Sequence, residues 1–242
     1  ARALELDSGL AEAHAVLAHL KVACDYDWPG AEAEYKRAIE LNPNSGIAYD
    51  SYSLMLSALE RYDEAIEMHG RAHELDPLAH RMDTATMLLR AGRHEEELGS
   101  VTRVLEVEPH FALAHATLGW AYLLTGMPDK GIASLQKARS LSPDSTLYLA
   151  QLGQAFARVG RTEEAREVLQ QLEKLSSQRY VSPYHMAYVY TGLGEHDRAM
   201  DLLERAYEER AGGVFGVKGS FLFAPLRGHP RFQALLRKMN LA

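Results

Sequence analysis

The chain has 242 residues, of which 47% are hydrophobic and 24% are charged, and its formal net charge is −7. This composition excludes a disordered chain, and the acidic balance argues against a nucleic-acid partner. The single cysteine, Cys24, excludes an intramolecular disulfide, and the apolar runs are too short to cross a membrane. No signal peptide is recognisable, so we expect a cytoplasmic protein.

A phrase that ends in proline recurs along the chain, in the forms RAIELNP, RAHELDP, RVLEVEP and KARSLSP. The phrases end at Pro43, Pro77, Pro109 and Pro143, so successive copies lie 34, 32 and 34 residues apart. A fixed period of this length indicates an array of structural repeats. We expect six units, at residues 11–45, 46–77, 78–111, 112–145, 146–179 and 180–213.

Each unit predicts two helices that pack closely against each other. The eighth, twentieth and twenty-seventh positions of the unit are occupied by small residues in most copies. A small residue at position eight that faces one at position twenty allows the two helix axes to approach closely. Glycine at position fifteen suits the left-handed residue that ends the first helix, and the last four units carry it as Gly92, Gly126, Gly160 and Gly194.

A helix–turn–helix unit of 34 residues with these small positions resembles the tetratricopeptide repeat (TPR), over about residues 1–213. The resemblance implies an all-α, right-handed superhelical solenoid of six hairpins. The end of the chain, from YVSPYHM to RKMNL, resembles the last part of TPR arrays in bacterial regulatory proteins. Those arrays follow a winged-helix, nucleotide-cyclase or serine/threonine-kinase domain, so the resemblance implies a sensing or docking role.

The first ten residues match the end of a unit, because ARALELD resembles the second helix of a hairpin. We therefore expect residues 1–10 to be the second helix of a truncated preceding repeat, and the sequence to be a piece of a longer protein. Leu4 and Leu6 would then lack neighbours. Self-association through this edge is one possible consequence.

The third unit fits the pattern least well. It carries Arg81 at position four, Thr84 at position seven and Glu97 at position twenty, where a small residue should pack. Three acids at the start of a helix are favourable for the helix dipole. Glu97 should nevertheless loosen the hairpin or turn outward, and we expect the array to be softer or bent there.

Residues 214–242 follow the last unit and are predicted to form a loop and a basic capping helix. Residues 212–228 are rich in Gly and Phe and do not fit a repeat. The helix after Pro230 has one apolar face, built from Phe232, Leu235, Leu236 and Met239. A solenoid needs such a cap on its last unit. The five basic residues from Lys218 onward are too few to favour a nucleic-acid or membrane role.

We find no set of residues that carries chemistry. The nucleophile elbow, the phosphate-binding loop and the zinc-protease motif are all absent from the sequence. His69 and His73 have a spacing that can bind a metal, but the pattern favours one core histidine and one surface histidine. We therefore predict a non-enzymatic protein without a metal or a cofactor.

A partner is expected to bind the concave groove that the first helices of the units line. Trp120 is the central candidate, because an aromatic residue at position nine is not needed for repeat packing. The alternative is that Trp120 packs on the neighbouring unit. Asp50 and Asp83 make the first half of the groove mildly acidic, which favours a basic or neutral partner. The predicted groove residues are Trp120, Leu124, Gln151, Gln154, Arg158, Tyr184, His185, Tyr188, Asp50, Asp83 and Arg90.

The predicted function is the binding of a protein or peptide. Glutamine and arginine in the groove can hydrogen-bond a peptide backbone. The cations by which some TPR modules clamp a terminal carboxylate are almost absent from the corresponding positions. The alternative function is a sensor for a small molecule or signal peptide, and it predicts a closed pocket near Trp120.

Overall fold

The computed structural model describes residues 7–77, 79 and 82–242, without the side chains of residues 83 and 84. Every regular element among the described residues is a helix. The α-helices are α1 Ala11–Leu20, α2 Trp28–Leu41, α3 Gly46–Ala58, α4 Tyr62–Leu75, α5 Asp83–Arg90, α6 His94–Val107, α7 Ala112–Leu124, α8 Pro128–Leu141, α9 Thr146–Arg158, α10 Thr162–Ser176, α11 Pro183–Gly192, α12 His196–Glu208 and α13 Pro230–Lys238.

The helices from α1 to α12 pair in chain order into antiparallel hairpins, each within one of the six expected units. Local sequence fixes several helix starts. The Asp27 carboxylate accepts a hydrogen bond from the Gly30 amide at 3.0 Å and caps α2, and the Ser145 hydroxyl caps α9 in the same way. Proline begins α8, α11 and α13, where its missing N–H is not needed.

The small positions allow the two helices of a hairpin to approach closely. In the fourth hairpin a Cβ on Gly119 would lie 2.9 Å from the Gly131 carbonyl oxygen, and one on Gly131 would lie 2.8 Å from the Gly119 oxygen. Neither residue could be larger without separating α7 from α8. The alanines at the same positions of the first and last hairpins are fully buried.

The turns of the last four hairpins contain the predicted left-handed glycines, with φ between +74° and +82°. In the second hairpin Glu60 occupies this position with φ +62°. The extra residue of the first unit is accommodated by a π-helical turn at Lys21–Asp25, which ends at Tyr26 with φ +51°.

Of the two alternatives for Glu97, the outward orientation is wrong, and a softer or bent array at this position stays a prediction. The Glu97 side chain is fully buried on α6, and one carboxylate oxygen lies 3.2 Å from His94 Nδ1. Position twenty faces the paired helix, so the side chain is buried whatever its chemistry. Burial raises the pKa of Glu97 to about 8, which keeps the carboxyl group largely protonated at neutral pH. Three residues named in the expectations for the N-terminal edge and the third unit lie outside the described residues: Leu4, Leu6 and Arg81.

The chain after α12 returns across the array. We call residues 214–226 the returning segment. It contains two 3₁₀ turns, Val214–Gly216 and Phe221–Leu226, and leads into α13. Helix α13 packs on α12, where Arg231 binds Asp201 at 2.7 Å and Glu204 at 2.9 Å. That this helix acts as the cap of the last unit stays a prediction.

Candidate functional site

The first helices of the hairpins share one surface, which we call the inner face. The returning segment lies along it and contacts residues from α1, α3, α5, α7, α9 and α11. The candidate partner-binding face is therefore occupied by the chain itself, except for an open stretch between α1 and α3.

Aromatic contacts form the centre of this interface. The Phe221 ring meets the Trp120 indole edge-to-face at a centroid distance of 5.3 Å. The Phe223 ring stacks on Tyr188 at 5.0 Å and meets Tyr184 edge-on at 5.2 Å. These separations are those of favourable aromatic pairs. Phe223 is only 1% exposed, so it is an anchor and not a surface residue.

The inner face also binds the main chain of the segment. Gln154 Nε2 donates a hydrogen bond to the Leu222 carbonyl oxygen at 2.6 Å, and both atoms are buried. From the second helix α4, next to this face, the Tyr62 hydroxyl donates a hydrogen bond to the Gly219 carbonyl oxygen at 3.4 Å. A Cβ on Gly219 would lie 2.5 Å from the Ser57 carbonyl oxygen, so this position accepts only glycine.

The ends of the segment connect the first hairpins to the last. Phe215 meets the His19 ring at 6.5 Å, and Arg227 binds Glu60 at 2.9 Å. Beyond α13, the Met239 carbonyl oxygen accepts a hydrogen bond from Trp28 Nε1 at 2.7 Å. The basic C-terminal part of the chain therefore contacts its own array both before and after α13.

The expectation that Trp120 presents a free aromatic surface is wrong. Its side chain is 3% exposed because Phe221 covers it, and Gln154, Tyr184 and Tyr188 are covered in the same way. Burial raises the pKa of Tyr184 and raises that of Tyr188 well above its usual value. A role for these four residues in binding an external partner stays a prediction.

Other predicted groove residues surround this centre. Arg90 is half-buried and donates to the Ser57 hydroxyl at 3.4 Å, and Gln151 lies beside Trp120. His185 Nδ1 lies 2.9 Å from the Thr146 hydroxyl oxygen, and burial lowers the pKa of this histidine to about 4. Arg158 is exposed at the rim of the inner face.

The remaining predicted residues contribute less to the site. Leu124 packs against the apolar core. Asp50 points at the buried His69, with 3.5 Å between carboxylate oxygen and Nδ1. The Asp83 side chain lies outside the described residues. The expectation of one core and one surface histidine is confirmed, because His69 is buried and His73 is exposed.

Two small cavities flank the contact between Trp120 and Phe221. One has a volume of about 100 Å³ and the other about 90 Å³. The indole Nε1 of Trp120 and the Oε1 of Gln151 are buried there and have no protein hydrogen-bond partner among the described residues. Such unpaired groups are suited to a water molecule or a very small ligand.

One stretch of the inner face stays open. Between α1 and α3 lies an apolar groove of about 640 Å³. One of its lining residues, His19, also contacts Phe215. Val16, Leu20 and Ile47 line the groove and are 60%, 47% and 72% exposed. The returning segment therefore leaves the first two hairpins accessible.

A family model for the tetratricopeptide repeat matches residues 117–180 and, in an overlapping second match, residues 150–214. The two matches together span residues 117–214. Among curated proteins, small glutamine-rich TPR-containing protein 2 of Mycosarcoma maydis is 30% identical over 85 residues. These residues are 34% of this chain and 24% of the relative, so the match spans about a quarter of that protein.

Solved TPR structures extend the comparison to the fold of the chain. PilW, a type IV pilus biogenesis factor, has a TM-score of 0.59 at 19% identity and covers 72% of this chain and 81% of its own. PilF of Pseudomonas aeruginosa has a TM-score of 0.55 at 14% identity, with 86% and 95% covered. MamA of Desulfovibrio magneticus has a TM-score of 0.53 at 21% identity, and the match covers 71% of this chain and 98% of the MamA chain. The described chain is therefore an all-α TPR solenoid.

The described residues contain no group of three or more His, Cys, Asp or Glu side chains arranged to hold a metal ion. None of the described helices is long and apolar enough to cross a membrane.

The residues that cover the inner face are not predictable from the repeat pattern. Phe221, Leu222 and Phe223 belong to a Gly- and Phe-rich stretch that fits no repeat. The period of 34 residues carries no information about a segment that follows no period. The available signal was the concentration of large apolar residues in a stretch that was expected to be a loop.

Proposed function

We propose that the array is a non-enzymatic scaffold that binds a protein or peptide on its inner face, as the regulatory or docking segment of a larger bacterial protein. The observation that supports this proposal is the way the inner face binds residues 219–223. It contacts them through aromatic rings and through the Gln154 side-chain amide, which donates a hydrogen bond to a main-chain carbonyl oxygen.

These are the interactions by which proteins recognise extended peptides. Aromatic side chains in a covered centre supply most of the binding energy of an interface. Hydrogen bonds to the peptide main chain supply affinity that does not depend on the peptide sequence. An open apolar groove beside the filled region adds surface for a partner, at Val16, Leu20 and Ile47.

Site-specific photo-crosslinking in cells tests this proposal. A photoreactive phenylalanine analogue replaces Ile47 or Arg158, both of which are exposed at the inner face. The matched control places it at the exposed Glu106, on a second helix. We expect a defined protein to crosslink from the two inner-face positions and not from Glu106. Crosslinking from Glu106 alone would contradict the proposal.

A second candidate function is a sensor for a small molecule, which the cavities beside Trp120 favour. A cavity of about 100 Å³ holds only a few heavy atoms, since a water molecule in the liquid occupies about 30 Å³. It has room for a small polar ligand and none for a signal peptide. A panel of small metabolites in a thermal-shift assay tests it, with Gln151→Leu as the control variant. A ligand that stabilises the wild type alone would favour the sensor.

A further inference from the structure

We propose that residues 219–226 are an internal ligand of the inner face, and that the external partner carries a matching segment, Gly-x-aromatic-x-aromatic, which displaces them. The proposal rests on the proposed function and names its partner class. The segment GSFLFAPL is uncharged, and the residues that it covers, Trp120, Gln154, Tyr184 and Tyr188, are uncharged as well. The cations Arg90 and Arg158 line the two cavities at the edge of this contact.

The spacing of the two aromatic residues follows from the contacts. Phe221 binds Trp120 on α7, and Phe223 binds Tyr184 and Tyr188 on α11. Between them, Leu222 presents its carbonyl oxygen to Gln154 on α9. Three successive residues therefore contact three successive hairpins, and the two aromatic residues that reach the two aromatic sites are two positions apart.

The glycine requirement follows from the packing at α3. Gly219 lies against the Ser57 carbonyl oxygen, where a Cβ would be only 2.5 Å away. The obstacle is a backbone atom at the end of a helix, which a side-chain rotation does not relieve. A matching partner segment therefore needs glycine two residues before its first aromatic residue.

Displacement is favoured by the way the segment is attached. Between α12 and the segment lies a short joint in which Arg210 and Gly213 have φ of +51° and +88°. Helix α13 is held separately, by Arg231 on α12 and by the Trp28 contact to Met239. The segment can therefore leave the inner face while both of its ends stay anchored.

This attachment makes the segment a strong competitor. A tethered ligand acts at an effective concentration in the millimolar range, so an external segment of equal intrinsic affinity binds weakly. The apparent affinity of the external segment is its intrinsic affinity multiplied by the fraction of molecules in which the inner face is open. Weakening the internal segment must therefore strengthen the binding of the external one.

Fluorescence anisotropy with a labelled peptide tests this coupling. The probe is the synthetic peptide GVKGSFLFAPLRG, which reproduces residues 216–228. The proteins are the full chain, the Phe221→Ser/Phe223→Ser variant, and Gly219→Val, which expels the segment by a clash and removes no apolar group. Leu169→Ser on α10 is the matched control, because it damages the core away from the inner face. Circular dichroism establishes that each variant is folded.

We expect the peptide to bind the two segment variants at least 10-fold more tightly than the wild type, and Leu169→Ser to behave as the wild type. A peptide with alanine in place of the residue that corresponds to Gly219 should bind the variants at least 10-fold more weakly. Equal affinity for wild type and folded variants would overturn the proposal. A peptide-insensitive dimer of the wild type would assign the inner face to a second copy and would also overturn it.

The two proposals can fail independently. If a partner crosslinks at Ile47 or Arg158 while the peptide binds no variant, the internal-ligand proposal fails and the scaffold function stands. If the peptide binds the variants as expected but no partner crosslinks, the segment competes for the inner face and the scaffold function loses its support.

Discussion

The side chain of Phe223 allows the packing of the returning segment to be tested quantitatively. The ring is 1% exposed and lies between Tyr184 and Tyr188. Truncating a buried phenylalanine to alanine costs about 3–5 kcal/mol, from lost transfer free energy and the cavity that remains. The two aromatic contacts place this site in the upper part of the range. We therefore expect Phe223→Ala to lower the free energy of unfolding by about 4–5 kcal/mol.

The matched control is Phe215→Ala in the same segment. Phe215 is half-buried and its ring contact, to His19, is longer at 6.5 Å. Its truncation should cost about 1 kcal/mol, as is usual for a partly exposed position. Urea denaturation monitored by circular dichroism measures both values, with the m-value as a check that unfolding remains cooperative. A loss for Phe223→Ala no larger than that for Phe215→Ala would refute the packing of this segment.

Three further predictions concern the repeats themselves. Gly126→Ala should lower the free energy of unfolding by about 1 kcal/mol, because φ is +81° at this residue. Gly212→Ala is the control and should cost less, since Gly212 has no positive φ and a Cβ there would meet no other atom. Thermal unfolding of the two variants measures the difference. Burial raises the pKa of Glu97 from 4.5 to about 8, so its contribution to stability is full below pH 4.5 and is lost as the pH rises to 8. Glu97→Gln should therefore remove this decrease in stability with pH, and it should stabilise the chain at pH 7 by up to about 3 kcal/mol. Urea denaturation from pH 4 to 9 measures both effects, and a pH dependence equal to that of the wild type would contradict the burial of Glu97. Hydrogen bonding by Arg61 lowers the pKa of Glu32 to about 2, so Glu32→Gln should cost about 1–2 kcal/mol at pH 7 and less as the pH falls towards 2; a cost independent of pH would argue against the ion pair.

The repeat architecture is predictable from the sequence because it is encoded locally and many times over. Gly119 and Gly131 face each other as their positions in the unit require, and Gly126 is left-handed as its place in the turn requires. Each feature recurs with the period, so an irregular copy such as Glu97 does not obscure the pattern. What the pattern leaves open is the side-chain environment at an irregular position. There, burial was decided by the facing helix and not by polarity.

The candidate site was only half predictable. Trp120, Gln154, Tyr184 and Tyr188 were selected because they face the groove and are not needed for packing between repeats. Their position in the unit predicts a surface that binds a peptide segment. It does not predict that residues 219–223 of the same chain occupy this surface. Leu222 lies 68 residues from Gln154 along the chain, and no period connects such positions. A contact of this kind becomes visible only when the whole array is folded.

The most direct test of the account is a nuclear Overhauser measurement on the full chain with selectively labelled aromatic residues. We expect cross-peaks between ring protons of Phe223 and Tyr188, whose centroids are 5.0 Å apart, and between those of Phe221 and Trp120, whose centroids are 5.3 Å apart. Both phenylalanine rings should also show chemical shifts displaced by their aromatic neighbours. Absence of these cross-peaks, together with phenylalanine shifts typical of an unstructured chain, would contradict the claim that the chain fills its own inner face.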